Sequence, residues 1–168
     1  MKRLLRISSS LLNEVRSDLR RPHAFAHERV GFLFCRAASL PNGFIVLAEN
    51  YLAVSDDNYI PQNKMGALIN ATAFRCAMQR GLSERVGIFH VHSHGGRYIP
   101  RPSPVDIREA RKFVPDFFNI TPSMPHGTVI LSRNAAYGLC WDSKSAEPET
   151  FDSVHIVGLP IQLLDFQK

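Results

Sequence analysis

The chain has 168 residues, 45% hydrophobic and 21% charged, with a formal net charge of +5. That length buries a core in one domain, residues 1–168, and the composition excludes disordered, collagenous and disulfide-dense classes. No apolar run is long enough to span a bilayer, and Arg6 with the serines at 8–10 interrupts any leader-like stretch, which argues against a membrane role.

In chain order, MKRLLRIS reads as a short lead-in, and SSSLLNEVRSDLRR (8–21) as an amphipathic helix with Leu11, Leu12, Val15 and Leu19 on one stripe, ended by Pro22. The apolar run RVGFLFC (29–35) predicts a buried strand. Pro41-Asn42-Gly43 predicts a turn, and GFIVLAENYLAVS returns as the second arm of a hairpin. DDNYIPQN (56–63) reads as loop, and 64–80 as a helix stopped by Gly81. RVGIFHVHSH (85–94) predicts a strand. A helix is expected from Pro104 until Pro115 stops it. GTVILS and AAYGLCW read as strands joined at Arg133-Asn134, SKSAEPETFDS as an exposed acidic connector, and VHIVGLPIQLLDF as a last strand with an apolar tail. Helices mixed with a largely hairpin-linked sheet predict an α+β fold, loosely α/β, with a mixed sheet flanked by helices.

Cys35, Cys76 and Cys140 are scattered, form no C-x-x-C pair and lie in apolar surroundings, which predicts three buried thiols in a reducing, cytoplasmic setting. The basic excess gathers in the first 36 residues and between Arg97 and Lys112. Without an aromatic-rich basic module it reads as solvated surface, and no nucleic-acid partner is expected.

The chemistry concentrates in HVHSHGGRYIPRPSPVD (90–106). Residues two apart on a strand share a face, so His90, His92 and His94 project together, and two such imidazoles can converge on one ion. A catalytic zinc takes three protein ligands and leaves a position for water, so a carboxylate or another histidine should complete the set. Asp106 is the candidate. Ser103 suits a helix N-cap and Pro104 the first helical position, which puts a hydroxyl and a carboxylate at one helix mouth. Gly95 and Gly96 permit a sharp turn after the histidines.

His92, Ser93, His94, a loop ending in proline, and Ser103-Pro104-Val105-Asp106 resemble the JAMM motif of the MPN+ (JAB) zinc metalloproteases: an upstream glutamate, then H-x-H-x7-S-x-x-D. Glu28, in AHERVGFLFC, stands where the family's glutamate is expected, and the order of elements is similar over about residues 8 to 160. Eight residues rather than seven separate His94 from Ser103, and Gly95 stands where many members have proline.

The resemblance implies an MPN/JAB-type domain in which Zn²⁺ is held by His92, His94 and Asp106. It implies Glu28 as general base, Ser103 as a hydrogen-bond donor to the oxyanion or water, and His90 outside the ligand set. Glu14, Glu49 and Glu84 are acids that the residues alone leave open as base. The short chain looks like the compact prokaryotic JAB proteins that accompany bacterial ubiquitin-like, activating-like and conjugating-like proteins, including antiphage systems. The implied reaction is isopeptide cleavage or C-terminal trimming of a ubiquitin-like protein. Arg97, Arg101, Arg108 and Arg111 would steer an acidic surface, with 56–63 and the GGRYIPRP loop as groove walls and Tyr59 and Tyr98 as contacts. The alternatives are a zinc amidase acting on a small-molecule or cysteine adduct, and a catalytically silent partner-binding scaffold.

Overall fold

A computed structural model describes residues 1–22, 26–61, 66–158 and 162–166 of the chain. Strand β1 (Lys2–Ser8) leads directly into helix α1 (Ser9–Leu19). The long hairpin of β2 (Val30–Leu40) and β3 (Gly43–Ala53) follows, then α2 (Ala71–Glu84), β4 (Gly87–Ser93) and α3 (Pro104–Phe117). The chain closes with a hairpin of β5 (His126–Leu131) and β6 (Ala135–Trp141), the short β7 (Glu149–Thr150), β8 (Ser153–Val157) and β9 (Gln162–Phe166).

These strands make one mixed, curled sheet in the order β5-β4-β2-β3-β1-β8-β9-β6-β7, with β6 also pairing β5, so the ladder comes round on itself. The architecture is α+β, with helices on both faces of the sheet. Alternation along each strand sorts the side chains. On one face Leu33, Val46, Phe89 and Val91 pack against Leu11, Leu12, Val15 and Leu19 of α1. On the other Phe32, Phe34 and Ile88 pack against Ala73 and Ala77 of α2 and Ala110, Val114 and Phe117 of α3. Phe32, Phe34 and Phe89 are fully buried, each contributing about 2–3 kcal/mol by removal from water. His90 and His92, in phase with Ile88, therefore face α2 and α3.

The structure departs from the sequence expectations at defined points. The lead-in is β1, a central strand parallel to both β3 and β8, with Leu4, Leu5 and Ile7 buried. Its alternation is hidden by Arg3, whose buried guanidinium is held by Asp142 and Glu149. The second helix begins at Ala71, capped by Asn70, rather than near residue 64; residues 64 and 65 lie outside the described residues. Gly81 does not stop that helix but lies inside it, where a Cβ would press on Ile88 at 2.7 Å. The left-handed cap is Arg85, at φ 55°.

Pro115 likewise sits within the last turn of α3, which runs on to Phe117. It removes a bond only to the carbonyl of exposed Arg111, which water can satisfy. The connector at 143–153, expected to be exposed, contains β7 and the buried Phe151, 1% exposed against Phe89. Cys35 and Cys140 are buried as expected, whereas Cys76 is exposed on α2. No helix among the described residues is long and apolar enough to cross a membrane.

Candidate metal centre

Strand register builds the site. Strands β2 and β4 are antiparallel, with Val30 opposite His92. Continuing that register two residues beyond the ladder brings Glu28 alongside His94. Two anchors hold the approach to β2. The Tyr59 hydroxyl accepts from the Val30 N–H at 2.9 Å and donates to the Val30 carbonyl at 3.2 Å. Buried Arg29 donates to Asp56 at 2.6 Å and to the Arg21 carbonyl at 2.7 Å. Tyr59 is thus a buried strut, not the groove contact expected of it.

The helix mouth supplies the other carboxylate. Ser103 caps α3: its Oγ accepts from the Asp106 N–H at 3.1 Å, while Asp106 Oδ2 accepts from the Ser103 N–H at 2.6 Å. This reciprocal capping box fixes the Asp106 rotamer and leaves Oδ1 facing the strand. The Ser103 hydroxyl spends its acceptor on the helix and keeps its hydrogen to donate.

The groups meet closely. His92 Nε2 and His94 Nε2 are 3.2 Å apart. Asp106 Oδ1 is 3.5 Å from His92 Nε2, and Oδ2 is 3.5 Å from His94 Nε2. Donors about 2.0–2.1 Å from a zinc ion at tetrahedral angles stand about 3.3 Å apart, which matches the spacing of the two imidazole nitrogens; Asp106 approaches each of them with a different oxygen. The group whose ligand atoms all lie within 4.8 Å of one another is Glu28, His92 and His94, so Glu28, expected as the base, stands in the ligand cluster, and Asp106, expected as the third ligand, is not part of it. The donor set, two imidazoles with one or two carboxylates, suits Zn²⁺.

The histidine Nδ1 on the far side from the site matters as well. His92 is 5% exposed, and its Nδ1 is buried with no hydrogen-bond partner among the described residues. Metal-ligating histidines ordinarily anchor that second nitrogen. Here the polar contacts of the ring are on the Nε2 side, to His94 and Asp106.

The electrostatics separate the members. Burial pushes the Glu28 carboxyl up from its ordinary value, against the pull of His94. Burial also works on Asp106, but hydrogen bonding to His94 and to the Ser103 backbone outweighs it and holds that carboxyl well below the usual range. Hydrogen bonding to Asp106 raises His94. Desolvation lowers His92 to about 4 and His90 to about 3, so both rings are neutral at physiological pH.

His92, Asp106 and Glu28 lie at the edge of a cavity of about 570 Å³, whose walls include Phe74, Phe113, Ile130 and Leu139, with His90, Thr128 and Tyr137 also lining it. His90 stands 5.6 Å from Phe32 and 5.2 Å from Phe113, ring to ring, outside the close-set group. Of the other acids, Glu49 pairs with Arg36 and Glu84 with Arg80, and Glu14 is exposed on α1. Arg108 and Arg111 pair with Glu109 and Glu147 on the surface. Pro102 is the one residue of the GGRYIPRP loop that lines this cavity, and Tyr98 is 88% exposed. Sequence reasoning missed the apolar walls, Phe74 and Phe113. Both sit on helical stripes indistinguishable from ordinary core positions.

No family model matches this chain, and no curated protein does. Among solved structures, the STIL N-terminal domain of Trichoplax adhaerens is similar over 82% of this chain at 10% identity, with a TM-score of 0.40. The chain spans about 40% of that chain's length.

Proposed function

We propose that this chain is a zinc-dependent amide hydrolase of the JAMM/MPN+ (JAB) type. What carries the reading is the convergence of His92, His94 and Asp106 at 3.2 to 3.5 Å with Glu28 beside them, at the edge of a cavity. His92, His94 and Asp106 would hold Zn²⁺, which, when bound, supplies Lewis acidity toward a water and an amide carbonyl.

The chain's own residues do the rest. Glu28, half-buried and aligned with His94, takes the proton of the attacking water and returns it to the leaving amine. Asp106, locked by the Ser103 cap, keeps its carboxylate anionic and still. Ser103 retains a hydroxyl hydrogen for an oxygen that gains charge. His90, neutral and set among Phe32 and Phe113, orients groups in the cavity rather than binding the ion.

For the substrate, the sequence motif favours a ubiquitin-like protein, as an isopeptide conjugate or a C-terminal extension, processed alongside activating-like and conjugating-like enzymes, as in antiphage pathways. A specific observation favours a second reading. A cavity of about 570 Å³ with phenylalanine walls lies within the size range of small-ligand pockets, which suits a small amide with a bulky apolar group. The test is one assay: zinc-loaded protein with ubiquitin-like–lysine conjugates, linear fusions and N-acyl amino-acid amides, with Glu28→Gln as control. Cleavage by the wild type alone supports the hydrolase reading, and the substrate cut decides between the two. Equal cleavage by both proteins, or none by either, overturns it.

A further inference from the structure

A second cavity, of about 370 Å³, opens at His94 and is strongly basic. Arg16 reaches it from α1, Arg20 from the cap that ends α1, Arg97 from the loop after β4, and Arg133 from the β5–β6 turn. No acidic residue lines it. Seven arginines elsewhere, Arg3, Arg21, Arg29, Arg36, Arg80, Arg108 and Arg111, each have a carboxylate within ion-pair distance, while Arg6, Arg75, Arg85 and Arg101 stand apart from one another without one among the described residues. None of the four at this cavity has one among the described residues. Like charges gathered from three separate segments repel one another, and a bound anion would relieve that repulsion.

The cavity is also built, not merely surrounded by flexible arms. Arg16 Nη2 donates to the Arg133 carbonyl at 2.8 Å, which clamps its guanidinium, and its Nε is buried with no partner among the described residues. The Arg133 N–H donates to the Gly96 carbonyl at 3.1 Å, tying the β5–β6 turn to the loop after β4. Gly96 holds φ +106°, and a Cβ at Gly95 or Gly96 would meet nothing within 4 Å, so the loop backbone faces open space. Planar guanidinium forks and open backbone suit an oxyanion with several acceptor atoms.

We propose that this cavity binds an anionic group, a carboxylate or a phosphoryl, carried by the ligand whose other end reaches His94. The site goes beyond the hydrolase reading and needs no metal. If the hydrolase reading also holds, the substrate carries a negative charge close to the bond that is cut.

The experiment is calorimetric titration of chelator-treated, metal-free protein with inorganic phosphate, N-acetylglycine and, as neutral control, N-acetylglycinamide. The comparison is an Arg20→Ser/Arg97→Ser double variant, in which both replaced side chains are exposed and outside the core. The expected result is binding of at least one anion with a Kd below about 10 mM, none of the neutral amide, and at least tenfold weakening in the double variant. The anion that binds more tightly identifies the group, phosphoryl or carboxylate. Absence of anion binding below that limit, or unchanged binding in a double variant with native circular dichroism, overturns the proposal. Because zinc is removed, a failed metal centre leaves this measurement intact, and a failed anion site leaves the zinc-loaded assay intact.

Discussion

Replacing His92 by leucine should invert the order of stability between wild type and variant according to whether zinc is present. In the metal-free protein His92 is a liability, since its Nδ1 is buried without a partner among the described residues. An unsatisfied buried polar atom costs about 1–3 kcal/mol. Leucine removes that atom while filling a similar volume, and imperfect repacking takes back at most about 1.5 kcal/mol. Asp106 keeps its bond from the Ser103 N–H, so removing the imidazole leaves no stranded charge. His92→Leu should therefore be more stable than wild type by about 1 kcal/mol in chelator, or roughly 2–4 °C in Tm for a chain of this size. With free zinc at about 100 times Kd the wild type gains about 2.7 kcal/mol by mass action, and the variant, lacking a ligand, gains nothing. The curves of urea denaturation with chelator and with zinc should thus cross. A variant less stable than wild type by 1 kcal/mol or more in chelator, or one stabilised by zinc as much as wild type, would refute the reasoning.

Other outcomes follow from neighbouring groups. Glu28→Gln should keep the full zinc-induced rise in Tm while abolishing hydrolysis; loss of the Tm shift would make Glu28 a ligand rather than a base. Ser103→Ala removes the N-cap of α3 and should cost about 1 kcal/mol in urea denaturation even without metal. Gly31→Ala would set a Cβ 2.2 Å from the Tyr51 hydroxyl, which donates to Asp18 at 2.6 Å; a loss of about 1–3 kcal/mol is expected, and a neutral result would show that Tyr51 moves freely. His126, fully buried, accepts from the Ile88 N–H at 3.0 Å through Nδ1 and has Nε2 3.0 Å from the Thr121 carbonyl, and burial lowers it to about 4. The unfolded chain takes up a proton that the folded ring refuses between about pH 6.5 and pH 4. Stability is therefore complete above that window and falls by about 3 kcal/mol as pH drops through it. His126→Gln should flatten this slope, leaving the part due to His90 and His92, and an unchanged slope would remove His126 from the account.

The local signals that reached the structure intact are those whose physics is local. Leu11, Leu12, Val15 and Leu19 form the buried stripe of α1, the turn at 41–42 closes the long hairpin, and Ser103 caps α3 as the S-P-V-D pattern requires. The stops failed for the opposite reason. Gly81 ends no helix because its missing Cβ is used for close packing on Ile88, and Pro115 falls where its lost bond faces solvent. In both cases tertiary context outweighs a backbone preference of about 1–3 kcal/mol. The strand at 2–8 was unreadable because a buried arginine interrupts its alternation, and the acids that neutralise it, Asp142 and Glu149, lie at the other end of the chain.

The candidate site divides along the same line. His92, His94, Ser103 and Asp106 are close in sequence, and two local rules, strand alternation and helix capping, suffice to aim them at one point. Glu28 obeys no local rule. Its place follows from the register that sets Val30 opposite His92, a property of the β2–β4 pairing that no single segment contains. The same holds for the two cavities, because Phe74 and Phe113 are ordinary stripe residues until α2 and α3 lie across His90, and Arg16 and Arg20 are an ordinary polar face until α1 lies beside the loop at Gly96. The apolar cavity borders His92 and the basic one borders His94, and the two ring nitrogens are 3.2 Å apart. A ligand that touches both therefore presents an apolar part on the His92 side and an anionic part on the His94 side. That requirement is narrower than anything the histidine motif alone imposes.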